Sequence, residues 1–173
     1  RRRVNRQLSA LLVMSYLFFV LASGWHLALL ITSTTVDWIA GKRIFESESS
    51  RTRKIWLISS IFVNLTLLCV FKYLDFIIRS LGWASLKFGG QLSLDEFGLL
   101  LPVGISFYTF QTMSYTIDIF RKRQEPAISF IQFACYASFF PQLVAGPILR
   151  FSEFERQVRK PLEPRFIRIK IGI

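Results

Sequence analysis

The sequence predicts an all-α fold, a polytopic membrane helical bundle with one re-entrant, broken helix. Three observations carry that reading. Apolar runs long enough to cross a bilayer alternate with short polar linkers, basic residues gather in those linkers, and the apolar run from Phe139 to Arg150 is interrupted by Pro141, Gly146 and Pro147. In hydrocarbon an unpaired backbone N–H or C=O costs on the order of several kcal/mol, so a broken helix survives there only where protein or a watery cavity supplies partners.

Taken in order, Leu8 to Ala40 is an apolar stretch of about 33 residues, longer than the roughly 20 one crossing needs and short for two crossings with a turn. Ser23-Gly24-Trp25-His26 is expected to divide it. The linker Gly41 to Arg53 is rich in Ser and charge. Ile55 to Ile78, about 24 residues, and Leu99 to Phe120, about 22, each read as a spanning helix, separated by a charge-balanced loop with a turn at Gly89-Gly90. Ile128 to Leu149 is also apolar and long enough to cross. Its flanks at Arg121 to Arg123 and Arg150 to Lys170 are both basic, however, and basic loops stay cytoplasmic. A re-entrant hairpin resolves the conflict, because Pro removes a helix hydrogen bond and lets the chain turn at Pro141 and Gly146-Pro147. Phe151, Phe154 and Val158 then share one side of a short helix, either an interfacial amphipathic helix or a plain connection.

Hydrophobic residues make up 52% of the chain, aromatic residues 16%, and mean hydropathy is +0.41, values that exclude an ordinary soluble domain. The net charge of +11 does not indicate a nucleic-acid partner, since the basic residues sit between apolar runs and not along an amphipathic stripe. Cys69 and Cys135 lie inside apolar runs and fit neither a disulfide nor a metal spacing. No metal cluster, phosphate-binding glycine loop or nucleophile elbow is present. Arg1 opens the sequence without a Met, and Arg165 to Ile171 begins a further element, so residues 1–173 are expected to be an internal piece of one domain, truncated at both ends.

Two motifs, Leu101 to Gln111 (LPVGISFYTFQ) and Ser138 to Arg150 (SFFPQLVAGPILR), stand in order with Phe71-Lys72-Tyr73 and Tyr115 to Arg121 (YTIDIFR). Together they resemble the membrane-bound O-acyltransferase family, in its alginate O-acetyltransferase branch, which includes relatives that D-alanylate teichoic acid. The resemblance implies transfer of an acyl group, acetyl above all, from a cytoplasmic donor to a hydroxyl of an exported or cell-surface polysaccharide. It implies no bound cofactor beyond the acyl donor as substrate, a bacterial inner-membrane location with membrane lipid around it, and an extracytoplasmic partner protein. The family's catalytic intramembrane histidine lies downstream of the AGPI segment, so these residues are expected to carry the scaffold without a catalytic residue and to be inactive alone. A non-catalytic transporter subunit or membrane scaffold, with its binding site at the broken helix, is the alternative.

Within the apolar runs, Gln111, Tyr115 and Asp118 recur at helical spacing and share a face that must turn inward, since polar groups facing lipid are costly. Gln111 and Tyr115 suit either an interhelical hydrogen bond or the wall of a substrate tunnel. Asp118, followed by Arg121, suits an ion pair or cap at the interface as well as the tunnel. Gln142 stands between Pro141 and Gly146-Pro147, where its amide could satisfy freed backbone groups or touch substrate. Arg150 ends the segment at the cytoplasmic mouth, placed for a lipid headgroup or for the phosphate or carboxylate of a donor. His26, the only histidine, has no triad or metal companion and reads as an interfacial anchor beside Trp25.

Overall fold

A computed structural model describes residues 2–89, 101–146 and 149–159, with no side-chain placement for 2–5, 144, 145 and 159. Every regular element among the described residues is helical. Two stretches, Arg6–Glu46 and Ser50–Lys87, are long and apolar enough to cross a membrane.

The first stretch comprises α1 (Arg2–Ser23), a 3₁₀ turn at Gly24–His26 and α2 (Leu27–Glu46). Gly24 takes a left-handed φ of 57°, open to glycine at no steric cost, and this breaks the helix where the sequence placed the division. Leu8 and Ile44 share one buried cluster with Tyr115, Ile119 and Phe151, whereas Phe19 and Leu30 share another with Leu68, Ile105 and Tyr108. The chain therefore reverses at the turn, and α1 runs antiparallel to α2.

The second stretch begins with α3 (Ser50–Leu68), capped by Ser49, whose hydroxyl accepts from the Thr52 amide. It passes through a π-helical turn at Cys69–Tyr73 and continues as α4 (Leu74–Lys87). α3 leaves the first cluster at Trp56 and Leu57 and reaches the second at Leu68. Cys69 is exposed, Cys135 buried, and both are free thiols. The turn at Gly89, with φ of 78°, is as expected, and Gly90 lies outside the described residues.

α5 (Ile105–Phe120) is shorter than the span expected from Leu99. Its 16 residues extend about 24 Å, against roughly 30 Å of hydrocarbon. Pro102 and the left-handed Gly104, φ of 72°, hold the chain out of the helix until Ile105. At the other end α5 closes with a left-handed Lys122, whose amide donates to the Ile119 carbonyl while the Arg123 amide donates to that of Asp118.

The apolar segment from Ile128 to Leu149 is not one helix. α6 (Phe130–Ala137), capped by Ser129, is followed after Ser138 and Phe139 by α7 (Phe140–Ala145). The break precedes Pro141, which sits in the first turn of α7, where its missing N–H would have had no helical partner. Gly146 ends α7 in extended backbone, and a Cβ there would come within 2.8 Å of the Gln142 Cα. Pro147 lies outside the described residues. Phe133 and Tyr136 belong to the first cluster, Leu143 to the second, and Phe151 and Phe154 of α8 (Phe151–Arg159) to the first again. The further element expected from Arg165 is also outside the described residues.

Candidate functional site

Three helices each carry a polar pair four residues apart, Ser33 and Asp37 on α2, Ser60 and Asn64 on α3, and Thr112 and Thr116 on α5. That spacing puts each pair on one helical face, and packing turns the three faces toward one another. All six side chains are buried. The Asn64 amide donates to both Asp37 carboxylate oxygens, at 2.8 and 2.9 Å. The Ser60 hydroxyl stands 2.5 Å from Asp37 Oδ1 and 3.2 Å from Thr116 Oγ1, and Thr112 also hydrogen-bonds the carboxylate. Ser33 donates to Asn64 Oδ1 at 2.6 Å, closing the network. Asp37 is thus a carboxyl group in an apolar bundle whose partners are all neutral. Such a group survives only because its lone pairs are filled, which makes the layer a fixed hydrogen-bonded joint between α2, α3 and α5.

A second polar joint ties α5 to the broken segment. The Gln111 amide donates to the Tyr136 carbonyl at 2.9 Å, and the Tyr136 hydroxyl donates toward the Leu149 carbonyl at 2.8 Å, with the Gln111 carbonyl at 3.3 Å. Tyr115 stacks on Phe133, meets Phe151 edge-on, and accepts from the Ala127 amide at 3.0 Å. Gly41 lets α2 approach this ring, because a Cβ there would lie 2.7 Å from Tyr115 Cε1.

At the end where Leu8 and Ile44 meet, Lys42 and Arg43 lie in the last turns of α2 and Arg53 in the first turn of α3, so the linker expected from Gly41 to Arg53 shrinks to residues 47–49, while Arg121, Lys122 and Arg123 follow α5 and Arg150 precedes α8. Arg53 Nη2 donates to the Phe120 carbonyl at 2.7 Å, capping α5 from the neighbouring helix. Beside it a polar pocket of about 540 Å³ opens between the α2–α3 and α5–α6 linkers, lined among others by Ser47, Glu48, Arg53, Lys122 and Gln124. At the opposite end Lys72, in the π-helical turn, donates to Ser106 at 3.2 Å, and the Val103 amide donates to Ser23 Oγ at 3.0 Å. His26 is buried there, donating Nδ1–H to the Ser23 carbonyl at 2.6 Å and stacked on the exposed Trp25. Of the expected pair of interfacial anchors, Trp25 alone is outward.

The structure brings Gln111 and Tyr115 together on the α6 side of α5, while Asp118 lies one turn on, buried near the basic end. Gln142 is buried on α7, and Arg150 is exposed ahead of α8. Asp37 with Ser60 and Asn64, the most connected polar group among the described residues, was not among the expected site residues. Its signal was the recurrence of i, i+4 polar pairs on three apolar helices, α2, α3 and α5. Among the described residues no group of acidic, histidine or cysteine side chains is arranged to hold a metal.

Residues 12–164 match the model of the membrane-bound O-acyltransferase family. The chain is 37% identical over 148 residues to the "Probable alginate O-acetylase AlgI" of Pseudomonas aeruginosa, covering 85% of this chain and 28% of that protein. Against the Pseudomonas putida protein of the same description it is 37% identical, covering 85% and 30%. It is 28% identical to the "Peptidoglycan O-acetyltransferase" of Helicobacter pylori, covering 86% and 32%. The chain thus spans about a third or less of the length of these curated relatives. No solved structure matches it. With motifs, helical order and family match in agreement over most of its length, the chain belongs to the membrane-bound O-acyltransferase family.

Proposed function

We propose that the protein containing these residues transfers an acyl group, acetyl above all, from a cytoplasmic donor to a hydroxyl of an exported or cell-surface polysaccharide, and that residues 1–173 supply part of the scaffold of its single catalytic domain. The observation that carries this reading is the family match over residues 12–164, joined to relatives whose names specify alginate and peptidoglycan O-acetylation. Bases for the chemistry come from an intramembrane histidine elsewhere in the protein, since His26 is the only one here and its Nδ1 is committed to backbone. A buried imidazole is suited to accept the acceptor's proton near neutral pH, and an enclosed tunnel keeps water from competing. The acyl donor is a substrate, and no further cofactor is required.

The scaffold is proposed to sit in the bacterial inner membrane as a polytopic bundle with the basic end cytoplasmic. Two features support a re-entrant α6–α7 segment. Neither helix is long enough to cross, with 8 and 6 residues. The chain also passes from the first cluster to the second and back between Phe133, Leu143 and Phe151. In this arrangement Gln111, Tyr115 and Gln142 stand near the break that approaches the tunnel, and the polar pocket beside Arg53 opens on the donor side. An extracytoplasmic partner completes delivery to the glycan. Deleting the gene and measuring ester-bound acetyl on the exported polysaccharide tests the reading: loss of acetylation, restored by the intact gene, is expected. Unchanged acetylation with altered solute uptake would replace it with a transport role.

A further inference from the structure

Tyr108, Tyr115 and Tyr136 are the tyrosines that the described residues bury almost completely. Two of them have committed hydroxyls. That of Tyr115 accepts from the Ala127 amide at 3.0 Å, and that of Tyr136 donates to the Leu149 carbonyl at 2.8 Å. The Tyr108 hydroxyl has no hydrogen-bond partner among the described residues. Its ring is fixed, 1% exposed and edge-on to Phe19 with 6.3 Å between centroids, and what exposure remains includes the oxygen. Buried hydroxyls are normally paired, because an unpaired one forfeits its bonds to water. A fixed, unpaired and reachable phenol calls for a partner from outside these residues.

The surroundings of that hydroxyl specify the partner. Tyr108 stands one turn beyond the left-handed Gly104, and a Cβ at Gly104 would lie 3.4 Å from Leu143, so the start of α5 meets the broken segment at α7. In the proposed orientation the re-entrant segment reaches this point from the cytoplasmic side, and the path between the two faces is shortest here. The neighbouring side chains of the cluster, Phe19, Leu30, Leu68, Ile105 and Leu143, are all hydrocarbon. A phosphate or a sugar would give up many hydrogen bonds to water there and regain one. An acyl carbonyl is uncharged, only accepts, and sits on a short hydrocarbon, so a single donor between apolar walls fits it.

We propose that the Tyr108 hydroxyl donates a hydrogen bond to the carbonyl oxygen of the acyl group during transfer. The inference rests on the acyltransferase reading and adds to it a residue that touches the reacting atoms. When the acceptor's hydroxyl oxygen bonds the carbonyl carbon, its proton passes to the base and the C=O π pair moves onto the carbonyl oxygen, where Tyr108 meets it while keeping its own proton. The pair then returns to re-form C=O as the bond to the donor's carrier breaks, and the carrier leaves with the electrons of that bond and the proton from the base. A donor already fixed in a low-dielectric site stabilises the developing charge without rearranging at the moment of reaction.

The test places full-length wild type and Tyr108→Phe in cells lacking the gene and measures the rate at which ester-bound acetyl appears on the exported polysaccharide, per amount of folded protein recovered by gel filtration from the membrane. Tyr108→Phe should lower that rate about 100-fold. Its melting temperature in detergent should not fall, since this hydroxyl, unlike that of Tyr136, gives up no bond. Tyr108→3-fluorotyrosine, which keeps the hydroxyl, should restore the rate to within about threefold of wild type. A wild-type rate for folded Tyr108→Phe, or a fluorotyrosine variant as slow as the phenylalanine one, would overturn the proposal. So would a lowered rate joined to a lowered melting temperature, which would mean that the hydroxyl is bonded to a further part of the protein and acts by holding it. Failure of the wild-type gene itself to restore acetylation is a separate result, and it would overturn the acyltransferase reading and the inference with it.

Discussion

The Asn64 side-chain amide bridges both oxygens of the Asp37 carboxylate, at 2.8 and 2.9 Å, from the helix packed against it. Of its two N–H groups, one is shared between the two carboxylate oxygens and the other donates to the Ser60 carbonyl at 3.0 Å, while the amide oxygen takes the Ser33 hydroxyl. The pair therefore fixes both the rotation and the axial register of α3 on α2. Asn64→Leu leaves the buried carboxylate without its amide donor and should destabilise the bundle by about 2–4 kcal/mol, read as a loss of thermal stability in detergent. Ser33→Ala, which removes one neutral bond, should cost only about 1 kcal/mol.

Gly41 is predicted to be intolerant of any side chain. A methyl group there would lie 2.7 Å from Tyr115 Cε1 and 2.9 Å from Ile119 Cδ1, both in the packed cluster. Gly41→Ala should cost about 1–3 kcal/mol by overpacking, and pairing it with Tyr115→Leu should cost less than the sum of the two single changes. A double-mutant cycle of melting temperatures checks this.

Lys122 holds a left-handed backbone, φ of 58°, at a position where glycine carries no Cβ penalty. Lys122→Gly should stabilise the protein by about 0.5–1 kcal/mol, seen as a higher melting temperature. Lys122→Val should lower it.

Tyr136→Phe removes the hydroxyl that joins α6 to the Leu149 carbonyl beyond the break. The expected cost is about 1 kcal/mol of overall stability. The local effect should be larger, as faster amide hydrogen exchange at the start of α8 with the α2–α3 pair unchanged. Equal acceleration in both regions would mean that the broken segment is not a separate unit.

Hydropathy made the long apolar helices legible, but α5 begins later than its apolar run from Leu99, because Pro102 and Gly104 hold the backbone out of helical geometry. The Asp37 layer was harder to read. Serine and threonine in helices commonly return a hydrogen bond to their own backbone, as Thr34 does to Leu30 and Thr35 to Ile31, so their presence says little about neighbours. On α5 the more conspicuous Gln111, Tyr115 and Asp118 drew the inward face toward α6, while Thr112 and Thr116 face the other partners. The break before α7 was misplaced for a related reason: proline marks a helix start as readily as a helix end.

The proposed re-entrant path, in which the chain enters and leaves the membrane on one face between α5 and α8, is tested most directly by cysteine accessibility in intact cells and inverted vesicles. In a background carrying Cys69→Ser and Cys135→Ser, single cysteines replace Phe88, Glu125 and Gln157, all exposed. A membrane-impermeant maleimide should label Glu125→Cys and Gln157→Cys from the cytoplasmic face only, and Phe88→Cys from the outside only. Labelling of Gln157→Cys from the outside, with Glu125→Cys still cytoplasmic, would show that the α6–α7 segment crosses the membrane and would contradict the account.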